Sequence, residues 1–329
     1  MLTTLSREQR IKRAQGITAT DMRALSGLCH YKRPIDVYEE KVNPVIDPPN
    51  DDPGEDAKRG IFIEDGMRRW YAHDTQSVVE DVGTTPLEGD SLIMASPDGR
   101  ATWPSGKRKP RALEIKCPRY HWDWELGGID EDDGVDADGK WVVPVYHRPQ
   151  MLTEAAVLGV DSTDAAALLS GGLRILNVPF DQEYFDDLRY LAHKFWRDFV
   201  IKRVPPPVDE SRNYAQYLAK RHPKHLGEEL VEATEDDILW AQRYVNARER
   251  EKKAKADKML ARNHIAARLG DAPGFTTEDK KVKVYFKSCV DSLMIDFKGI
   301  VESIDVDASI IGAHTTIKPG NRSIKVYVK

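Results

Sequence analysis

The N-terminal region has the polar and apolar spacing of two short helices. Residues 6–14 predict a basic helix that is capped by Ser6. The segment GITATDM then predicts a loop that opens a second helix over residues 21–26. We expect Thr20 to be the N-cap of this helix and Gly27 to end it.

A proline-rich and acidic stretch separates these helices from a longer one. Residues 43–57 combine prolines with acidic residues, which predicts an exposed loop. In the following segment, apolar residues recur at roughly helical spacing, which predicts an amphipathic helix. Glu64 lies in the middle of this pattern, and a glutamate on such a helix is usually solvated. The apolar positions are Ile61, Ile63, Met67, Trp70 and Tyr71.

Short apolar runs then predict strands. SVVEDVG (77–83) and SLIMAS (91–96) lead into the segment ASPDG. GRATW (99–103) and LEIKCP (113–118) follow, and the connection PSGKRKP is rich in turn residues. We therefore expect the last two runs to pair as an antiparallel hairpin.

This hairpin carries the candidate chemistry. Side chains alternate between the faces of a strand, so Glu114 and Lys116 share one side while Ile115 points toward a core. Antiparallel pairing would bring Asp98 close to Glu114. Two carboxylates suit Mg²⁺ or Mn²⁺, which lowers the pKa of a bound water, and Lys116 would position that water. For an E-x-K pair taken alone, a surface salt bridge is the plainer interpretation.

The second half of the chain alternates helical and strand patterns before its character changes. A helix is predicted after Pro149, a hairpin over residues 164–180, and an amphipathic helix over residues 182–203 that ends before three prolines. A long, highly charged helix is predicted over residues 234–270, with Thr234 and Asp237 as its capping box. The strand patterns KVKVYF and SIKVYVK follow.

Composition limits the class of protein. The 329-residue chain is long enough for one large domain or two, and its net charge of −5 still allows a local basic surface to contact DNA. Three widely spaced cysteines, Cys29, Cys117 and Cys289, indicate neither a disulfide framework nor a zinc cluster. Neither a leader segment nor a membrane-spanning run is apparent. We expect a soluble, cytoplasmic protein without membrane contact.

Two loops remain open to more than one interpretation. The basic loop at the hairpin tip is either a solvated turn or a contact for duplex phosphates; its charges are Lys107, Arg108, Lys109 and Arg111. The acidic loop at residues 128–139 is rich in aspartate, but it lacks the spacing of a calcium-binding loop. We interpret it as a solvated insertion.

Four sequence blocks, taken in order, resemble a known family. The spacing D-x15-E-x-K from Asp98 to Lys116 resembles the PD-(D/E)XK nuclease signature. Together with the other blocks it resembles the YqaJ-type viral recombinases of the lambda exonuclease family, over roughly residues 10–207. A lone E-x-K is weak, whereas four ordered blocks are specific. The blocks are RAQGITATD (13–21), GIFIE (60–64), ASPDG with LEIKCP, and YHRPQ (146–150).

The resemblance implies a fold and a division of the chain. It implies an α/β fold in which a mixed central sheet is flanked by helices, a restriction-endonuclease-like PD-(D/E)XK core. We expect this nuclease core to occupy residues 1–207. A linker and the long charged helix would fill residues 208–270, and a small β-rich element would fill residues 271–329.

The resemblance also implies roles for individual residues. Asp98, Glu114 and the Ile115 carbonyl would hold the metal. Lys116, Glu64 and Gln150 would act on the attacking water, Gln150 being the glutamine of the YHRPQ block. Its spacing from Tyr146 differs by one residue from the family pattern, which makes His147 a candidate for the tyrosine position. The implied contacts to a terminal 5′-phosphate are Arg13, Thr20, Ser96 and Arg119.

The function implied by the resemblance is a Mg²⁺-dependent alkaline exonuclease, with Mn²⁺ as a substitute ion. It would degrade the 5′-ended strand of linear double-stranded DNA to 5′-mononucleotides and leave 3′ single-stranded tails for recombination. A single-strand annealing protein, a homotrimeric ring, and a phage or prophage origin within a bacterial host are also implied. The alternatives are a site-specific endonuclease on the same core and a non-catalytic DNA-binding protein with a degenerate site.

Overall fold

The computed structural model divides the chain into two compact units, Met1–Arg221 and His222–Lys329. The residues that the structure describes are 5–48, 54–106, 108–120, 123–124, 141–170, 172–227, 229–278 and 282–287. The first unit contains the helices α1 (Arg7–Ala14), α2 (Ala19–Leu25), α3 (Pro34–Val42), α4 (Glu55–Thr75), α5 (Arg148–Leu158), α6 (Gln182–Phe195) and α7 (Arg212–Arg221). Its strands are β1 (Ile17–Thr18), β2 (Val78–Glu80), β3 (Thr85–Leu87), β4 (Asp90–Ala95), β5 (Gly99–Thr102), β6 (Arg111–Lys116), β7 (Ser162–Leu169) and β8 (Gly172–Pro179).

A mixed five-stranded sheet organises the first unit. Its order is β2-β5-β6-β7-β8, with β6 and β7 parallel and the other neighbours antiparallel. A smaller sheet has the order β1-β4-β3, with β1 parallel and β3 antiparallel to β4. The predicted α/β fold, a mixed sheet with flanking helices, is confirmed.

The two faces of the central sheet pack against different helices. Alternate residues of β6 point to opposite faces. Leu113 and Ile115 pack with Met67 and Tyr71 of α4. Ala112, on the other parity of β6, packs with α5. Glu114 shares that parity, so the strand presents its carboxylate on the side covered by α5.

The β5–β6 hairpin forms as predicted, with Gly99 opposite Leu113. The neighbouring strand β2 approaches Gly99 closely. A Cβ atom at this position would lie 2.4 Å from the Cγ1 atom of Val79. Glycine therefore allows β2 and β5 to pair where the hairpin begins.

The caps of the first two helices agree with the predictions only in part. Ser6 caps α1 through a capping box, as predicted. The prediction that Thr20 caps α2 is wrong. The Thr18 hydroxyl accepts the Asp21 amide at 3.2 Å, and the Asp21 carboxylate accepts the Thr18 amide at 2.9 Å. This reciprocal pair starts the helix at Ala19, and Thr20 falls inside the first turn.

Asp21 is also the centre of a buried ion cluster. Its carboxylate lies 2.7 Å from the Lys41 ammonium and 2.8 Å from the Lys32 ammonium. Burial acts to raise the pKa of Asp21, but the charges and hydrogen bonds of Lys41 and Lys32 outweigh it and hold the pKa well below its usual range. The same cluster raises the pKa of Lys32 to about 12, although burial opposes this shift. Asp21 thus ties the start of α2 to α3.

The end of the first unit differs from the prediction of one helix over residues 182–203. The α-helix α6 ends at Phe195, and the chain continues as a π-helical turn, Trp196–Val200. Beyond the prolines, α7 packs Tyr214 and Tyr217 into the apolar cluster that contains Tyr38. The first unit therefore extends past residue 207, and the three-part division of the chain stays a prediction.

The second unit contains a long helix, α8 (Glu235–Leu269), and the antiparallel strands β9 (Gly274–Thr276) and β10 (Lys283–Tyr285). The predicted helix is confirmed, including its capping box of Thr234 and Asp237. The strand pattern SIKVYVK lies outside the described residues. Across the part of the chain that the structure describes, no helix is both long and apolar enough to cross a membrane.

We predict that replacing Asp21 with alanine destabilises the first unit by about 3–5 kcal/mol, because two buried ammonium groups lose their shared carboxylate. Chemical denaturation monitored by tryptophan fluorescence would measure the loss. Glu40→Ala is the matched control. It removes the partner of Lys32 that is 54% exposed and should cost no more than about 1 kcal/mol. Equal losses in the two variants would contradict a central role for Asp21.

Candidate active site

The site is built around Glu114 on β6. This glutamate is 4% exposed, and the Lys116 ammonium, two residues along the same face, donates a hydrogen bond to its Oε1 atom. Ile115 points to the opposite face, into the cluster under α4. The predicted parity of the E-x-K segment therefore matches the geometry.

Asp98 reaches the same strand from the turn between β4 and β5. Its Oδ2 atom accepts the backbone amide of Ile115 at 2.6 Å, which fixes the carboxylate beside β6. Burial raises the pKa of Asp98 well above its ordinary value, and the charge of Glu114 raises it further, while Lys116 acts in the opposite direction. This part of the site therefore contains two buried carboxyl groups, those of Asp98 and Glu114, and one ammonium group, that of Lys116.

The ammonium keeps its proton in this setting. Burial alone would lower the pKa of Lys116, but the negative charges of Glu114 and Asp98 outweigh burial, and the net shift is upward. Lys116 is therefore a permanent cation of the site, suited to stabilising developing negative charge.

Helix α5 brings Gln150 into direct contact with these groups. The Gln150 Nε2 atom donates to Glu114 Oε1 at 2.6 Å, and its Oε1 atom lies 3.5 Å from the Lys116 ammonium. Pro149 occupies the first turn of α5, where its missing amide hydrogen is not needed. The sequence pattern predicted that Gln150 lies at the start of a helix. In the structure, the first turn of α5 packs next to β6.

Glu64 lies at the margin of the site. It is half-buried on α4 and accepts a hydrogen bond from Arg68 at 2.9 Å, one turn along the helix. Burial raises the pKa of Glu64, Arg68 opposes this, and the charge of Glu114 adds to the rise. The Glu64 carboxylate is therefore close enough to be influenced by the charge of Glu114, but its hydrogen bond is to Arg68.

The sequence analysis missed Glu154 and Arg23. Glu154 follows Gln150 by one helical turn, is 1% exposed, and accepts the Gln150 amide at 2.8 Å. Burial raises its pKa well above the ordinary value, and Glu114 raises it further. Buried Arg23 of α2 reaches the other end of the same amide, 3.5 Å from Gln150 Oε1. A charged residue within the apolar run QMLTEAAVL was the available signal for Glu154.

Tyr146 and His147 are the two candidates for the tyrosine position of the YHRPQ block, and their side chains have different surroundings. Tyr146 donates its hydroxyl proton to Asp123, and its carbonyl accepts Arg23 Nε at 2.9 Å. His147 is buried beside the ring of Trp124. Burial and the charges of Lys116 and Arg23 lower the pKa of His147 well below its ordinary value, so its ring is neutral.

The donor set fits a hard divalent cation held by few protein ligands. The Oε2 atom of Glu114 is buried and lacks a hydrogen-bond partner among the described residues. The Asp98 carboxylate is bonded to the Ile115 amide, and the Ile115 carbonyl belongs to the same strand as Glu114. Among the described residues no group of three or more His, Cys, Asp or Glu side chains forms a metal cluster. Mg²⁺ commonly binds through one or two carboxylates with water and phosphate oxygens, which matches such a set.

The four residues predicted to contact a 5′-phosphate lie on separate elements. Arg13 lies in the last turn of α1. It lines a surface cavity of about 470 Å³, together with Arg10, Lys32, Lys41 and Lys220. The other three have different surroundings. Thr20 is half-buried in α2, Ser96 shares a 2.8 Å hydrogen bond with Thr84, and Arg119 is exposed, 5.4 Å from the ring of Tyr120.

The basic loop has partners within the protein. Arg111 forms an ion pair with buried Asp164 at 2.8 Å, and Lys109 pairs with Asp161. Arg108 stacks on the ring of Trp103. Lys107 and the acidic loop at residues 128–139 lie outside the described residues. Cys29 and Cys117 are free thiols, and Cys289 also lies outside the described residues.

Carboxylates and a lysine on a strand of a mixed sheet form a site suited to metal-assisted hydrolysis. Residues 11–165 match the family model of the YqaJ-like viral recombinase domain. The uncharacterized protein YqaJ of Bacillus subtilis (strain 168) is 23% identical over 268 residues, which cover 80% of this chain and 77% of the relative. The family match supports a nuclease of the recombinase type.

The solved structures that the chain matches include an alkaline exonuclease, LHK-Exo, from Laribacter hongkongensis. Its crystal structure is 18% identical, covers 66% of this chain and 97% of its own, and superposes with a TM-score of 0.46. The complex of LHK-Exo with dAMP gives 17% identity over the same shares of the two chains and a TM-score of 0.47.

We predict that the proton retained on Glu154 makes a contribution to the stability of the metal-free protein that is lost as pH rises above about 4.5, whereas the lowered pKa of His147 makes a contribution of opposite sign up to about pH 6.5. The folded state holds a proton on Glu154 after the unfolded chain has released it, so the folded state binds more protons in this window. Each unit of pKa difference is worth about 1.4 kcal/mol. Denaturation in EDTA between pH 5 and pH 8 would measure the slope.

Glu154→Gln should flatten this slope in part, because the amide does not titrate. Asp98 contributes a slope of the same sign and remains in the variant. Slopes that are identical in the variant and the parent protein would contradict the assignment of a retained proton to Glu154.

Proposed function

We propose that the protein is a Mg²⁺-dependent exonuclease that degrades the 5′-ended strand of linear double-stranded DNA. The observation that carries this proposal is the direct contact of Glu114, Lys116 and Gln150, with Asp98 fixed beside them on the Ile115 amide. These residue types converge at a strand of a mixed sheet within a YqaJ-like viral recombinase domain. Mn²⁺ is expected to substitute for Mg²⁺.

The proposed mechanism assigns each group one task. Asp98, Glu114 and the Ile115 carbonyl would hold the cation, which supplies an activated water and neutralises charge on the scissile phosphate. Lys116 stabilises the negative charge that develops as water attacks, since its proton is retained. Gln150 orients the water, and Glu64 assists from the margin of the site.

The direction of degradation rests on the terminal phosphate. Arg13, Thr20, Ser96 and Arg119 would hold the 5′-phosphate, so that chemistry releases 5′-mononucleotides and leaves 3′ single-stranded tails. A homotrimeric ring, an annealing protein that receives the tails, and a phage or prophage gene acting in a bacterial cytoplasm complete the proposal. All of these follow from the family resemblance.

Substitution of the central groups tests the chemistry. Asp98→Ala and Lys116→Ala should each reduce Mg²⁺-dependent nucleotide release by at least about 10²–10³-fold, because each removes charge stabilisation at the reacting phosphate. Release from end-labelled linear duplex measures this loss. Lys202→Ala, at an exposed position, is the matched control and should keep full activity.

The same assay separates the alternatives. Full activity in Asp98→Ala or Lys116→Ala would sink the assignment of the site. Cleavage of covalently closed circles would instead indicate an endonuclease. Salt-dependent binding of duplex without any release in Mg²⁺ or Mn²⁺ would indicate a DNA-binding protein.

The state of the DNA end tests the phosphate contacts. Linear duplexes with 5′-hydroxyl ends should be degraded much more slowly than those with 5′-phosphate ends, because the cationic contacts to the phosphate are lost. Arg13→Ala should bring the two rates closer together. Equal rates on both ends in the parent protein would remove Arg13 from this role.

A further inference from the structure

We propose that Glu154 is a positioning residue that holds the Gln150 amide in one orientation, so that the amide oxygen accepts a hydrogen bond from the attacking water and the amide nitrogen does not donate to the phosphate. This inference rests on the proposed function and deepens it. It is carried by the hydrogen bonds of one amide group and by the burial of the groups around it.

Four polar side chains surround the Gln150 amide. Its nitrogen donates to Glu114 at 2.6 Å and to Glu154 at 2.8 Å. Its oxygen faces Lys116 and Arg23, each at 3.5 Å. A rotated amide would place its oxygen against the Glu114 carboxylate and its nitrogen against the cations Lys116 and Arg23. One orientation is therefore strongly preferred.

The carboxyl groups of Glu114 and Glu154 use the full donor capacity of this nitrogen. A primary amide carries two N–H groups and a carbonyl oxygen with two lone pairs. Because Glu114 and Glu154 take both hydrogens, Gln150 has none left for a phosphate oxygen. Its contacts with the two cations are long, at the limit of a hydrogen bond, so the oxygen keeps capacity for a closer donor. A water molecule is such a donor.

Burying the Glu154 side chain costs free energy of folding, and the orientation of Gln150 explains why a glutamate is present there. It is 1% exposed on α5, and its Oε2 atom is buried without a partner among the described residues. Burying a polar oxygen in this way disfavours folding. A side chain that served packing alone would be better replaced by an apolar one of similar size. The bond to Gln150 is the contact that distinguishes Glu154 from such a residue.

A mutant cycle at positions 150 and 154 tests the proposal. Glu154→Met should lower kcat for nucleotide release by about 10–100-fold, as loss of an orienting partner does, while KM for DNA stays constant. Thermal stability should change little, because removal of the buried unpaired Glu154 oxygen offsets the loss of an acceptor for the Gln150 N–H. Glu154→Gln should recover most of kcat, because its amide oxygen also accepts the Gln150 N–H. In a Gln150→Met background, Glu154→Met should change kcat by less than about twofold.

Thr153→Val is the matched control. Thr153 is buried on the same helix, but its hydroxyl bonds the Pro149 carbonyl and not Gln150. Its kcat should equal that of the parent protein. Full activity in Glu154→Met, or losses that multiply in the double variant, would overturn the proposal. A raised Mg²⁺ requirement in both Glu154→Gln and Glu154→Met would make Glu154 a metal ligand instead.

A measurement without substrate separates this inference from the proposed function. The side-chain NH₂ signals of Gln150 can be identified in ¹⁵N spectra as the pair absent from Gln150→Met. Their exchange with solvent should be slow in the parent protein and faster in Glu154→Met. Unchanged exchange would refute the positioning contact. Slow exchange in a protein that releases no nucleotides would refute the nuclease and leave the contact established.

Discussion

The site depends on an imbalance of buried charge. Asp98, Glu114 and Glu154 are carboxyl groups within a region of low dielectric, and Lys116 is the ammonium bonded among them. Like charges at close range repel strongly there, so burial and repulsion favour protonation of Asp98 and Glu154. The rigid sheet and α5 hold the groups together against this repulsion. Such an arrangement is poised to attract a divalent cation, which would reverse the preference for protons.

The parallel pairing of β6 and β7 brings the acidic groups of the site together. Because β6 runs parallel to β7, the chain between them must cross over, and α5 forms part of that crossover. The helix covers the face of β6 that carries Glu114, and its first turn lies near the carboxylate. Gln150 and Glu154 then meet Glu114 from a single helix face. The topology of the sheet thus determines which helix completes the site.

Local patterns in the sequence were enough to predict some features and not others. The two-residue period of a strand predicted that Glu114 and Lys116 share a face, and the turn-rich connection predicted the hairpin. The cap of α2 was predicted wrongly although a local signal was present, since Thr18 and Asp21 have the same spacing as the capping box of Thr234 and Asp237. The role of Glu154 depends on which side of α5 meets the sheet, a tertiary fact that local periodicity does not contain.

Ile115 links the two sides of the sheet through one residue. Its amide holds Asp98, its carbonyl is an expected ligand, and its side chain packs with Met67 and Tyr71 on the opposite face. The position of the backbone at Ile115 is thus set by the apolar layer beneath α4. Changes in that layer would reach the site as displacement of two ligands at once. Core residues that contact neither the proposed metal nor DNA would thereby influence the proposed activity through the position of one backbone segment.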